Sequence, residues 1–230
     1  MNDGLTFALP KGRILGAAAS LLQSAGIDAA VLTGDDRRLR FDLPGGHRAL
    51  LVKPVDVPTY VERGVADVGI AGADTLEEQG RDLYEPVDLG IGACRLVVAE
   101  PRDRPALLRR GMAIRVATKY PRLARRHYAL RGIEPEIIEL FGSVELAAIA
   151  GLADQIVDLV ESGETLRQNG LVEVETVMDV TSRLIVHPAS LKLRHARLAA
   201  LIDAMRSAVA TTTTTTTTMT MTGTGKATGT

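Results

Sequence analysis

Short apolar runs rich in β-formers alternate with helical patterns along almost the whole chain. Leu5–Leu9 is typical of a strand, and apolar residues at helical spacing follow it as far as Gly26. The middle of the chain repeats this order. Its strand-like runs are Arg95–Ala99, Ile114–Thr118, Glu136–Leu140 and Ile156–Val160, and its helical patterns cover 104–110, 120–131 and 144–150. Such alternation with short connections predicts an α/β fold of mostly parallel sheets covered by helices.

The remaining patterns complete this prediction. Pro44-Gly45-Gly46 separates two extended runs and predicts a hairpin. Further strands are expected at Arg38–Leu43, Arg48–Val52, Val68–Ala71, Val172–Val180 and Leu184–His187, and helices at 57–63, before Gly80 and from about Pro188 to Val209. The two blocks predict two lobes with a cleft between them: residues 1–88 with 181–209, and residues 89–180. Residues 210–230 contain eight consecutive threonines and lack apolar periodicity, so we expect a disordered tail there.

Composition excludes several classes of protein. A formal net charge of -1 argues against a protein built mainly to bind nucleic acid. The single cysteine, Cys94, leaves no intramolecular disulfide and is interpreted as a core residue. Neither a secretory signal nor a membrane-spanning run is visible, so we expect a cytoplasmic protein without a membrane partner.

Residues 155–166 have the pattern of a phosphate-binding turn. A strand ends near Asp158, and Gly163 precedes a helix start, where free backbone N–H groups favour a phosphate. Ser162 and Thr165 add hydroxyl donors, and a carboxylate before such a turn can accept hydrogen bonds from ribose hydroxyls. The pattern therefore favours a 5-phosphorylated sugar. The structural alternative, in which Ser162 only caps the helix and Asp158 is solvated, stays open.

The same segment resembles the signature of the ATP phosphoribosyltransferase family, in its short form. The resemblance spans about residues 4–209. Its matching positions in the signature are Glu145, Gly151, Ala153, Ile156, Asp158, Leu159, Ser162, Gly163, Thr165 and Leu166. Other matching segments are 8–14, 55–62, 67–72, 94–97, 117–121 and 142–147.

The resemblance implies a two-lobed fold like that of the periplasmic binding proteins. It also implies a pentosyltransferase that joins N1 of ATP to C1 of phosphoribosyl pyrophosphate, with Mg²⁺ held mainly by substrate phosphates and not by direct protein ligands. This is the first step of histidine biosynthesis. Because adenine N1 already has a lone pair, no side chain is assigned as a general acid or base.

Two groups of site residues follow from the resemblance. The first is expected to bind phosphoribosyl pyrophosphate and comprises Glu145, Asp158, Glu161, Ser162, Gly163, Glu164 and Thr165. The second is expected to contact ATP or pyrophosphate and comprises Lys11, Arg13, Arg37, Lys53 and Asp74. Without the family, the basic residues could equally be solvated and Asp74 could cap the helix that begins near Thr75.

The resemblance also implies a catalytic homodimer that assembles with a regulatory subunit similar to histidyl-tRNA synthetase. Three other interpretations remain. A solute-binding protein would bind one ligand without turnover, although the turn at 158–166 and the missing signal argue against it. A phosphoribosyltransferase acting on a free base would usually carry two adjacent acids, whereas Asp158 and Glu161 are separated. An interaction protein has no positive feature in its favour.

Overall fold

The structure, a computed structural model, describes residues 4–34, 37–106 and 113–221, with side chains as far as residue 211. The strands are β1 (Thr6–Pro10), β2 (Arg40–Leu43), β3 (His47–Val52), β4 (Val68–Gly72), β5 (Tyr84–Asp88), β6 (Cys94–Pro101), β7 (Arg115–Thr118), β8 (Glu136–Glu139), β9 (Gln155–Val160), β10 (Leu171–Val180) and β11 (Ser182–Val186). The helices are α1 (Leu15–Ser24), α2 (Val57–Glu62), α3 (Ala73–Gln79), α4 (Pro121–Ala129), α5 (Glu145–Ile149), α6 (Glu164–Gln168), α7 (Pro188–Leu193) and α8 (His195–Met221).

The chain divides into two compact units. The first comprises Met1–Ala71, Asp82–Ile91 and Ser182–Thr230, and the second comprises Gly72–Arg81 and Gly92–Thr181. Residues 72–81 thus belong to the second unit, whereas the sequence analysis placed them in the first lobe. The reason is that Ala73 donates its N–H to the carbonyl of Thr181, and α3 lies against α4.

A six-stranded sheet forms the centre of the first unit, in the order β2-β3-β1-β4-β11-β5. β1 is parallel to β3 and to β4, and Phe7, Ala8 and Leu9 are completely buried. Such a run of apolar residues is expected of a parallel strand that is covered on both faces. β2 and β3 form the predicted hairpin.

Helices α1 and α8 cover this sheet with small and apolar side chains. Leu22 of α1 and Leu198 and Met205 of α8 are fully buried in the same core as Phe7. The expected final helix is broken at Arg194, whose guanidinium donates to the carbonyl of Gly4 and to Asp67.

A five-stranded sheet forms the second unit, in the order β10-β6-β9-β7-β8. β7 runs parallel to β8 and β9, while β6 is antiparallel to β9 and β10. One core on this sheet contains Ala117 and Ile156, and the other contains Leu96 and Val157. Cys94 is half-buried and lies against the second of these cores.

The α/β fold expected from the sequence is confirmed, with mixed sheets that each contain three adjacent parallel strands. Strand β5 was not predicted, because Tyr84–Asp88 contains a proline and two acidic residues. The helix expected at 104–110 falls largely on residues 107–112, outside the described residues.

The threonine-rich segment differs from its prediction. A disordered tail was expected from residue 210, but α8 continues to Met221, and residues 222–230 lie outside the described part. The helix meets no glycine or proline before Gly223, and threonine lowers helix propensity without breaking a helix. Within the described residues, no helix combines the length and apolar character that a membrane span requires.

Candidate functional site

Three parallel strands of the second unit share one carboxyl edge, with β9 continuing three residues beyond the ends of β7 and β8. Thr118 of β7 is in register with Glu139 of β8 and with Val157 of β9. The residues that follow each strand therefore emerge along one carboxyl edge of the sheet, where open α/β sheets bind their ligands. Lys119 follows β7, and Asp158 lies one position beyond the paired residue of β9.

Asp158 is a buried carboxylate at this edge, only 7% exposed. Its Oδ1 accepts a hydrogen bond from the backbone N–H of Leu159 at 2.9 Å and lies 3.2 Å from Nζ of Lys119. Burial raises the pKa of Asp158 above its ordinary value, and nearby Glu145 raises it further, whereas Lys119 lowers it. The structure thus brings Glu145 and Asp158, two of the predicted sugar-phosphate residues, into one electrostatic environment.

The turn after β9 presents exposed polar groups. Gly163 adopts φ +76°, a conformation that other residues rarely adopt, and immediately precedes α6. Ser162 Oγ accepts the N–H of Glu164 at 3.3 Å, while the N-cap position of α6 itself is occupied by Gly163, not by Ser162. Glu164 also pairs with Arg167 at 2.6 Å. Thr165 is exposed, and buried Leu166 anchors the turn to the core.

Asp74 belongs to the second unit, whereas the basic residues with which it was grouped belong to the first. It is buried, and its Oδ2 accepts a 2.9 Å hydrogen bond from the hydroxyl of Tyr120. Burial raises the pKa of Tyr120, and the charges of Asp74 and Asp158 raise it further, so the phenol remains a neutral donor. Asp74 is therefore bonded to the residue that follows Lys119.

Helix α3 fixes the segment that carries Lys119 and Tyr120. Glu78 lies four residues after Asp74, on the same face of α3. Its carboxylate accepts the N–H groups of Arg122 and Leu123 at 2.9 Å each and so caps the start of α4. Two carboxylates of one helix thus bond the connection between β7 and α4.

Four of the predicted basic residues lie around a different edge, in the first unit. Lys11 and Lys53 directly follow Pro10 and Val52, which are paired in register, and Lys11 donates its N–H to the carbonyl of Val52 at 2.9 Å. Arg13 follows in the turn before α1. β2 runs antiparallel to β3, so the start of β2 lies at the end of β3 that Lys53 follows. Arg37 lies shortly before this start of β2. Clustered cations of this kind suit phosphate groups.

Two residues of the site in the second unit, Lys119 and Tyr120, were not among the site residues predicted from the sequence. Both follow β7 directly, and the rule that ligands bind beyond the carboxyl ends of parallel strands could have identified them. Both also lie in the segment 117–121, which matches the family, although no role was assigned to either residue from that resemblance.

Known proteins resemble this chain over most of its length. The family model described as ATP phosphoribosyltransferase matches residues 53–207. A protein of Syntrophotalea carbinolica named ATP phosphoribosyltransferase is 52% identical over 216 residues, which cover 91% of this chain and 97% of the relative. A protein of the same name from Geobacter metallireducens is 49% identical, with 91% and 100% covered.

A solved structure shares the fold. It is described as the ATP phosphoribosyl transferase (HisG:HisZ) complex from Thermotoga maritima. The matched chain is 32% identical to this one and superposes with a TM-score of 0.76. The superposition covers 89% of this chain and 98% of the matched chain. The chain therefore belongs to the ATP phosphoribosyltransferase family, the pentosyltransferases of the first step of histidine biosynthesis.

Proposed function

We propose that this chain transfers the phosphoribosyl group of phosphoribosyl pyrophosphate to N1 of ATP, and that the sugar phosphate binds at the carboxyl edge of β7, β8 and β9. The observation that supports this placement is a buried carboxylate, Asp158, three residues before the exposed polar turn that begins at Glu161. An ionised carboxylate accepts hydrogen bonds only, which suits two neighbouring ribose hydroxyls.

The turn supplies the complementary donors. The hydroxyls of the exposed residues Ser162 and Thr165 and the backbone N–H groups near Gly163 are the donors proposed for the 5-phosphate. Glu145 and Glu161 are further acceptors for sugar hydroxyls. Glu164 would bind only through its backbone N–H, because its carboxylate faces Arg167.

The reaction requires little acid–base chemistry from the protein. Adenine N1 attacks the anomeric carbon with its own lone pair, the C–O bond to pyrophosphate breaks, and the electrons leave with the pyrophosphate oxygen. Catalysis then depends on orientation and on stabilisation of the departing charge. Lys11, Arg13, Arg37 and Lys53 are the side chains proposed to bind the phosphates of ATP or pyrophosphate.

Mg²⁺ fits this chemistry as a partner of the substrates. Magnesium commonly binds substrate phosphates with one or two carboxylates and retained waters. Within the described residues, no group of three or more histidine, cysteine or acidic side chains could hold a metal ion. The ion would be held mainly by the phosphate oxygens of the substrates and would neutralise charge on the departing pyrophosphate.

A homodimer that assembles with a regulatory subunit similar to histidyl-tRNA synthetase is also part of this proposal. It is supported by the Thermotoga maritima structure, which is described as a HisG:HisZ complex. The ordinary test is co-purification of this chain with the candidate subunit, followed by measurement of the complex mass and of histidine inhibition. A complex that never forms would contradict this part of the proposal.

The enzymatic proposal is tested by incubating the purified chain with ATP, phosphoribosyl pyrophosphate and Mg²⁺, while following adduct absorbance and pyrophosphate release. Asp158→Asn and Thr165→Ala should lower kcat/KM for phosphoribosyl pyrophosphate about 100-fold and tenfold, consistent with lost charged and neutral hydrogen bonds. Asp203→Asn and Thr33→Ala, both in the first unit, are the matched controls. Tight binding of one ligand without turnover would instead indicate a solute-binding protein.

A further inference from the structure

We propose that Lys119 is a positioning residue for phosphoribosyl pyrophosphate, which holds Asp158 ionised and oriented so that its carboxylate can accept the ribose hydroxyls. This inference rests on the proposed sugar-phosphate site and assigns a role to a residue outside the signature turn. Lys119 acts through Asp158 and need not touch the sugar.

The ionised carboxylate of Asp158 is buried, and burial of a charge costs free energy. A carboxylate removed from water shifts towards its neutral form unless an opposite charge lies close by. Asp158 has a side chain only 10% exposed, while that of Lys119 is 40% exposed. The ammonium therefore stays partly hydrated while it stabilises the buried carboxylate at 3.2 Å.

Charges of opposite sign act on the carboxylate of Asp158. Lys119 is the cation that lowers its pKa, and Glu145 on α5 opposes it. Tyr120, bonded to Asp74 on α3, also feels the charge of Asp158 but stays neutral. Without Lys119, burial and the charge of Glu145 would be opposed only by the hydrogen bond from the Leu159 N–H, so the pKa of Asp158 would rise.

The contacts of Asp158 also restrict the orientation of its carboxylate. Lys119 and the Leu159 N–H both approach Oδ1 of Asp158. This fixes the plane of the carboxylate and leaves Oδ2 as the acceptor for a ligand hydroxyl. The residues on both sides of Lys119 in the chain are held by hydrogen bonds. Thr118 donates its hydroxyl to the carbonyl of Val157 at 2.6 Å, and Tyr120 donates its N–H to Thr118 Oγ1 at 2.8 Å.

The role predicts a specific dependence on pH. A protonated Asp158 would donate one hydrogen bond and lose an acceptor site, so affinity for the sugar phosphate would fall as the pH falls through its pKa. An opposite charge within about 4 to 6 Å lowers a carboxyl pKa by about 1 to 3 units. Removal of Lys119 should therefore move this loss of affinity to a higher pH.

The test compares Lys119→Met, Lys119→Arg and the matched control Lys192→Met, which lies on α7 in the first unit. Affinity for phosphoribosyl pyrophosphate is measured by titration calorimetry between pH 5.5 and 8.5, a range of about one and a half units either side of neutrality. Lys119→Met should weaken binding about tenfold at the acid end, with recovery at the alkaline end. Lys119→Arg should restore most of the affinity, and Lys192→Met should match the wild type.

A direct readout is the carbon resonance of the Asp158 carboxyl group, identified by its absence in Asp158→Asn. Its titration midpoint should rise in Lys119→Met and not in Lys192→Met. Since Lys119 acts through Asp158, the double variant with Asp158→Asn should bind no more weakly than Asp158→Asn alone.

The outcomes separate two failures. If Asp158→Asn leaves the affinity unchanged, the proposed sugar-phosphate site is wrong, and this role of Lys119 falls with it. If Asp158→Asn weakens binding but Lys119→Met has no effect, or has an effect that is the same at every pH, the site stands and the positioning role is refuted.

Discussion

The hydroxyl of Tyr120 donates a 2.9 Å hydrogen bond to Oδ2 of Asp74, although the two residues lie 46 positions apart in the chain. Asp74 is buried, and the hydroxyl of Thr75 is a weaker second donor at 3.4 Å. This bond joins the start of α3 to the segment that carries Lys119. The local structure of the site therefore depends on a helix that enters the second unit from a distant part of the sequence.

Tyr120→Phe should destabilise the protein by about 1 to 3 kcal/mol, because it leaves a buried carboxylate without its main donor. The measurement is urea-induced unfolding followed by circular dichroism. Tyr84→Phe, at an exposed position on β5, is the matched control and should unfold like the wild type. Equal stability of the two variants would show that the bond contributes nothing.

Asp158→Asn, although it lowers activity, should be more stable than the wild type at neutral pH, by up to about 1 kcal/mol. The folded-state pKa of Asp158 is raised by burial. The stability contributed by this group is therefore full below its unfolded pKa and declines as the pH rises through its folded pKa. Asparagine does not ionise, and its side-chain oxygen can still accept the N–H of Leu159.

The measurement for Asp158→Asn is the free energy of unfolding in urea at pH 4 and pH 7.5, values chosen near the ordinary aspartate pKa of about 3.9 and well above it. The variant should gain on the wild type as the pH rises, while Asp203→Asn, on α8, should not. A variant that is less stable than the wild type at pH 7.5 would contradict the interpretation that burial destabilises the ionised carboxylate of Asp158.

Gly163→Ala should raise the KM for phosphoribosyl pyrophosphate more than the KM for ATP. An alanine at φ +76° costs about 1 to 2 kcal/mol, and its Cβ would lie 3.3 Å from Nη1 of Arg167. Gly170→Ala is a matched control, since Gly170 has φ +70° and follows the same helix α6 beyond the turn. If both variants change KM equally, general backbone strain and not the turn is responsible.

Removal of residues 211–230 should leave the thermal unfolding midpoint unchanged, whereas Met205→Ala should destabilise the first unit by about 2 to 5 kcal/mol. Met205 is fully buried against the six-stranded sheet, and among the side chains of α8 that the structure describes, up to residue 211, the last in the core are Ala208 and Val209. Calorimetry on both variants provides the comparison. A large loss on truncation would mean that the threonine-rich part of α8 has contacts of its own.

Local patterns were sufficient to predict much of the fold. Apolar runs such as Leu5–Leu9 and Ile156–Val160 identify strands because a strand buried on both faces must be apolar throughout. The hairpin followed from Pro44-Gly45-Gly46. The turn after Asp158 was predicted because a glycine at positive φ before a polar helix start is a local feature.

Contacts between distant residues were beyond such reasoning. The pairing of Lys119 with Asp158 depends on β7 and β9 being parallel neighbours in the sheet, and that order is chosen by the packing of whole strands. The position of Asp74 beside Tyr120 depends on where α3 packs, which no residue of α3 encodes alone.

The sequence by itself determined the alternating elements, the polar turn after β9 and, through its resemblance, the family. Tertiary structure decided which charges meet: Lys119 and Asp158 at one sheet edge, with Asp74 held by Tyr120. The physical reason is that propensity and periodicity act over a few residues, whereas a buried charge is stabilised by whatever partner the packed strands and helices bring within about 4 Å.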